Sequence, residues 1–183
     1  MSNPDPAANG WADRTARAAV GAHAALTAAG VAPSGLAELV PAGRRLLVFP
    51  RPMSMRPIGE VWRLGTLLLD TYGRLYAAGS ATRASERLRP NHQSVSREQR
   101  RDIAAAALRG GYPAGTPVEY AAELLPSTDA GLLALGDDAP VGVHEGELRV
   151  RWRAGAPLDG APTIDRYLDE RVALLIDPPL RST

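Results

Sequence analysis

The stretch GEVWRLGTLLLDTYGRLYAAGS, Gly59 to Ser80, constrains the fold more than any other segment. Two apolar runs flank Asp70-Thr71-Tyr72-Gly73, and the glycine supplies the permissive backbone that a tight turn needs. The spacing predicts a hairpin of Glu60–Leu69 with Arg74–Gly79, with Gly65 marking a bulge in the long first arm. A second hairpin is written into PVGVHEGELRVRWRAG, turning at Glu145–Gly146. Its second arm alternates, which predicts Leu148, Val150 and Trp152 inward and Arg149, Arg151 and Arg153 outward.

Two further strands are expected, RRLLVF (Arg44–Phe49) and TPVEYAAELL. Between the first of these and the hairpin, PRPMSMRP reads as loop or edge, because Pro50, Pro52 and Pro57 bring no N–H donor to a ladder. Three helices complete the reading. One runs from Asn9 to about Ala29, with Asn9 as cap and Asp13 in its first turn. A second follows the capping box of Ser96 and Gln99 and turns Ile103, Ala104, Ala107 and Leu108 to one side. The third starts at Thr163, carries the stripe Ile164, Tyr167, Leu168, Arg171, Val172, Leu175, and stops at Asp177-Pro178-Pro179. A short helical turn is also expected over Leu36–Val40, capped by Ser34. The sum is an α+β fold: a mainly antiparallel sheet built from two hairpins plus further strands, with about three helices packed on it. Residues 1–10 read as a flexible tail and 11–183 as a single α+β domain.

Composition bears on chemistry. The chain has no cysteine, so thiolate nucleophiles, thiolate metal sites and disulfides are excluded. All 21 basic residues are arginine. Without lysine there is no amine for a Schiff base, for a Ser-x-x-Lys pair or for a phosphate-loop lysine. No G-x-S-x-G elbow is present, and the glycines of ALRGGYPAG follow a helix instead of preceding one. The 3 histidines, His23, His92 and His144, lack metal-ligand spacing, so neither a metal nor another cofactor is expected. No apolar run approaches the roughly 18 residues of a membrane span. The polar N-terminus shows no export pattern, and the expected location is cytoplasmic.

The charge is uneven. Between Ser80 and Arg101 stand six arginines against Glu86 and Glu98, whereas the whole chain carries a net +1. Guanidinium forks match carboxylate and phosphate groups. Arg83, Arg87, Arg89, His92 and Arg97 are therefore the candidate anion-binding residues, set against a plain reading as solvated surface. The segment lacks the aromatic residues on which bases stack, which argues against nucleic acid. With 1 phenylalanine in the chain, Trp62 and Trp152 are the expected structural anchors. Asp137 and Asp138 read as turn acids.

The blocks GEVWRLGTLLLDTYGRLYAAG, TRA, AALRGGYPAGTPVEY and IDRYLDERVALLIDPP resemble a group of small actinobacterial proteins, over about Arg44 to Pro179. Some members of that group are called glutaminase, and the resemblance implies an amide hydrolase without naming its residues. Glutaminase chemistry of the serine, cysteine and threonine types draws on a lysine or a cysteine. This chain has neither, and Ser2 is left as the one N-terminal nucleophile. The reading that follows is a small binding or assembly module without catalysis, with a second copy of itself as the expected partner. Its alternative is an enzyme or binding protein for an anionic small molecule, working through Arg83–Arg101.

Overall fold

The computed structural model describes residues 10–45, 49–86 and 95–178. They form an α+β fold with four helices and a mixed seven-stranded sheet, in the order β7-β8-β1-β4-β5-β6-β9. Two two-stranded ribbons accompany it. The chain divides into two compact units, taken in turn.

The unit of Pro33–Val61 and Ala78–Ala122 is built on β1 (Ser34–Val40). This strand pairs antiparallel with β4 (Ser54–Leu64) and parallel with β8 (Pro117–Tyr120). β7 (Ser80–Arg83) lies antiparallel on the other side of β8. The expected helical turn over Leu36–Val40 is thus a strand. Its short apolar run is buried at Leu36 and Ala37, as the central position requires. It also receives a parallel partner, so the sheet is mixed, although the other described pairings in it are antiparallel as expected. Pro57 lies inside β4, contrary to the loop expectation. Leu36 opposes Gly59 and Ala37 opposes Pro57, so Ile58 is the extra residue of a bulge, where a missing donor is tolerated. β2 (Gly43–Arg45) and β3 (Phe49–Arg51) form a ribbon, and residues 46–48 of the expected RRLLVF strand lie outside the described residues.

α2 (Val95–Arg109) packs on this unit through alanine. Ala106 and Ala107 meet Ala37, Met55, Ala84 and Val118 in a small core. Methyl side chains let the helix backbone come close: Gly110, just after the helix, sits so near the Met55 carbonyl that a Cβ would collide with it. The Tyr112 hydroxyl donates to Leu36 O at 2.9 Å, its ring lying over Gly35 where a side chain would strike it. The described part of the helix starts at Val95, so Ser96 is itself helical instead of preceding the helix as a cap.

The other unit holds the chain up to Ala32, Trp62–Ala77 and the chain from Glu123 on. The last residues of β4 turn at Gly65-Thr66 into β5 (Leu67–Asp70), which turns at Thr71–Gly73 into β6 (Leu75–Ala77). Gly65 therefore makes a turn, φ +66, where a bulge was expected, and a further hairpin results. β9 (Glu123–Leu124) pairs with β6. The expected strand TPVEYAAELL is two strands, because Ala121 takes φ 55 and turns the chain between them. α3 (Asp129–Leu133) is capped by Thr128, whose hydroxyl accepts from Gly131 N at 3.1 Å. β10 (Val141–His144) and β11 (Glu147–Val150) form the expected hairpin, with Glu145 and Gly146 both at positive φ.

α1 (Trp11–Ala28) and α4 (Ile164–Ile176) close this unit's core. Ala19, Ala22 and Leu26 from α1 meet Ile164, Tyr167, Leu168 and Val172 from α4 around Leu64, Leu67 and Leu69. Each fully buried leucine contributes roughly 1.5–3 kcal/mol. Trp62 is buried, and its indole N–H donates to Val31 O at 2.7 Å while the His23 ring meets its edge. Trp152 is not the second anchor: it is 67% exposed, with Arg153 stacked on its face. The alternation fails there because β11 ends at Val150, and beyond a strand end the two-residue period no longer sets direction.

Candidate functional site

The anion-binding candidates do not come together among the described residues. Arg83 is exposed at the end of β7 and donates from Nη1 to Gly115 O at 2.6 Å. Arg97 stands on the exposed first turn of α2. Arg87, Arg89 and His92 lie outside the described residues. His23 packs against Trp62, and His144 lies 4.0 Å from the Glu145 carboxylate. Among the described residues, no group of three or more histidines and carboxylates is placed to hold a metal.

One cluster of ionisable groups forms around Asp70, at the β5–β6 turn. Oδ1 accepts from the N–H groups of Tyr72 and Arg74, at 2.9 and 2.8 Å. Oδ2 accepts from Arg74 Nε at 2.6 Å and from the Tyr76 hydroxyl at 3.1 Å. Burial pushes the carboxyl pKa up, but the bonds from Arg74 and Tyr72 together outweigh it and hold Asp70 below its ordinary value. Burial, with the Asp70 charge second, pushes the Tyr76 hydroxyl up. Every acceptor position of this carboxylate faces a donor of its own turn, and the arrangement fixes the hairpin.

Arg151 is the residue that the alternation misplaced, and it is the second focus of charge. Expected outward, it is buried, its side chain 7% exposed. Its backbone is clamped on both sides. The N–H donates to Pro140 O at 2.7 Å, and the carbonyl accepts from the Thr66 hydroxyl at 3.1 Å. Thr66 is itself held by Tyr167 of α4, whose hydroxyl accepts from Thr66 N and donates to Leu64 O. The guanidinium then turns back under the hairpin. Nε donates to Ala156 O at 2.9 Å, and Nη1 donates to Ala139 O and Val141 O, both at 3.0 Å. Nη2 meets Asp137 Oδ1 at 3.4 Å, and the Asp137 side chain is 99% exposed. Gly142 makes room for this: a Cβ there would lie 2.9 Å from Nη1 and 2.9 Å from Leu158 Cδ1.

Arg151 is among the residues that line a cavity of about 530 Å³. Leu133, Leu135, Val143 and Leu158 supply apolar wall, and His144 and Asp137 supply polar wall. The arrangement sets a largely buried cation beside that cavity. Two other cavities in the same unit offer less. One, of about 280 Å³, lies along α1 and has Arg74 on its wall, already bound to Asp70. The other, of about 410 Å³, has Arg149 and Arg166, which pair with Glu145 and Glu170, although Arg149 Nε is buried without a hydrogen-bond partner among the described residues. The start of α4 beside it is occupied by Asp165. A bond from the Thr163 hydroxyl holds that carboxyl below its ordinary pKa.

Sequence reasoning missed Arg151 because the alternation runs on to Arg153, three residues past the end of the strand at Val150. The signal was the Arg-Ala-Gly-Ala-Pro that follows Trp152, a composition that ends strands and lets a side chain fold back. Compared with protein-family models, with curated proteins and with solved structures, the chain finds no match in any of the three.

Proposed function

We propose that the protein is a binding module without covalent chemistry of its own, and that its ligand site is the cavity beneath the β10–β11 hairpin. One observation carries the reading: Arg151, nearly inaccessible to water, borders a roomy cavity with a guanidinium nitrogen that is only weakly engaged. Cavities that join apolar wall to a few placed polar groups are the usual form of a small-molecule site. The composition supports binding over covalent catalysis, since neither thiol nor amine side chains are available as nucleophiles. The exposed positions of Arg83 and Arg97 favour this cavity over the Arg83–Arg101 segment as the anion site.

The test is a chemically mixed fragment panel followed by amide NMR. Fragments that bind should move the signals of Gly142, His144 and Ala156 together. A panel in which no fragment moves these three amides contradicts the reading.

A further inference from the structure

Resting on that reading of the cavity, we infer that its ligand is a small organic monocarboxylate, held end-on by Arg151 Nη2. The argument begins with charge. A guanidinium stripped of water needs both hydrogen-bond acceptors and a counter-charge. Ala139, Val141 and Ala156 supply acceptors from their carbonyls, which carry no net charge. Among the described residues the carboxylate within reach is Asp137, at 3.4 Å. A close charge-assisted bond of this kind measures about 2.7–2.9 Å. Asp137 holds the cation loosely, from a side chain that water can reach on nearly every side. The cavity thus contains a cation short of its counter-ion.

Donor geometry then selects the anion. Arginine has five N–H groups in a planar fork. Nε–H and both Nη1 hydrogens are engaged with carbonyls, which removes both two-nitrogen faces from use. The Nη2 hydrogens remain, and among the described residues they face Asp137. One nitrogen can grip one carboxylate oxygen. It is a poor match for a phosphate dianion, whose oxygens call for several donors at once. Asp137 at the same nitrogen repels a second negative charge, so the ligand is a monoanion that displaces this carboxylate. The exposed lining of the cavity is mostly polar, with Leu133, Leu135, Val143 and Leu158 supplying a smaller apolar share for the body of such a molecule and His144 one further polar contact.

Titration calorimetry at constant ionic strength separates the outcomes, with benzoate, benzyl alcohol and inorganic phosphate as probes. Benzoate should bind about tenfold more tightly than benzyl alcohol, since a bond to a buried charge is worth that factor. Phosphate should give no heat above its dilution control. Asp137→Asn should tighten benzoate by about two- to fivefold, the worth of an exposed ion pair. Gly142→Ala should abolish benzoate binding by pushing the guanidinium aside. Phosphate or benzyl alcohol matching benzoate, with binding lost in Gly142→Ala, would overturn the monocarboxylate and leave the cavity as the site. Benzoate heat that survives Gly142→Ala in a folded variant would place binding elsewhere and overturn both. Should Gly142→Ala fail to fold, Asp137→Asn decides, and an unchanged benzoate affinity overturns the inference. No binding by any probe overturns the monocarboxylate, and the fragment panel then judges the cavity.

Discussion

Asp70 and Arg151 are both charges buried in the same unit, with side chains 3% and 7% exposed. They are held in opposite ways. Asp70 receives four donors from within six residues of itself, one of them a guanidinium, so its charge and both its oxygens are matched. Arg151 draws its three acceptors from two stretches of chain, Ala139 and Val141 in one and Ala156 in the other. Among the described residues, its charge meets one exposed carboxylate, at 3.4 Å. The first arrangement is closed and local, and it explains a turn. The second joins the chain segments around a cavity that Arg151 helps to line, and leaves Nη2 only loosely held. A buried charge with nothing left over belongs to folding; one with a donor left over, on a cavity wall, can take a ligand as well.

Substitutions should separate the two. Arg151→Met should be the more damaging, by about 3 kcal/mol in urea unfolding, because three backbone carbonyls each lose a donor worth about 1 kcal/mol. Asp70→Asn should cost about 2 kcal/mol, since the amide keeps an acceptor for the turn N–H groups but loses its hold on the Arg74 guanidinium. If Asp70→Asn proves the more damaging of the two, the contrast between them is drawn the wrong way round.

Acid offers a gentler probe. The native pKa of Asp70 lies below its unfolded value of about 3.9. The stability it contributes is therefore fully present above that unfolded value and is lost as pH falls through the lower native one. Asp165, held low by Thr163, adds in the same direction. Asp70→Asn should flatten the acid limb of a stability–pH curve, and Arg151→Met should leave its shape unchanged. An unaltered acid limb in Asp70→Asn would show that the turn bonds do not hold the charged form. Smallest of all, Trp152→Ala should change stability by less than about 0.5 kcal/mol, as expected of a side chain 67% exposed.

Much of this structure could be read from sequence where a single local rule governs. The stripe of α4 was legible in part: Ile164, Tyr167, Leu168 and Val172 recur at helical spacing and are buried, whereas Arg171 and Leu175 of the same expected stripe are exposed. The Glu145–Gly146 turn was legible because two-residue hairpins demand positive φ at both positions. β1 was not, because SGLAELV is short and its apolar residues fit a helical turn as well as a strand. Its state is set by β4 and β8, which lie far away in sequence. Gly65 looked like a bulge for a similar reason: the Tyr167 hydroxyl that fixes its turn comes from α4. The candidate site was hidden by one residue's direction. Arg151 follows three inward or outward positions that obey alternation, and nothing in its own identity says that the strand stops at Val150.

The most direct test of that residue's role is NMR of arginine side-chain N–H groups in protein labelled with ¹⁵N-arginine, titrated with benzoate. The buried guanidinium of Arg151 should give slowly exchanging signals, and these should shift and saturate while those of Arg83 and Arg97 stay in place. Saturable shifts at Arg83 or Arg97 with Arg151 unmoved would contradict the account and return the anion site to the arginine-rich segment.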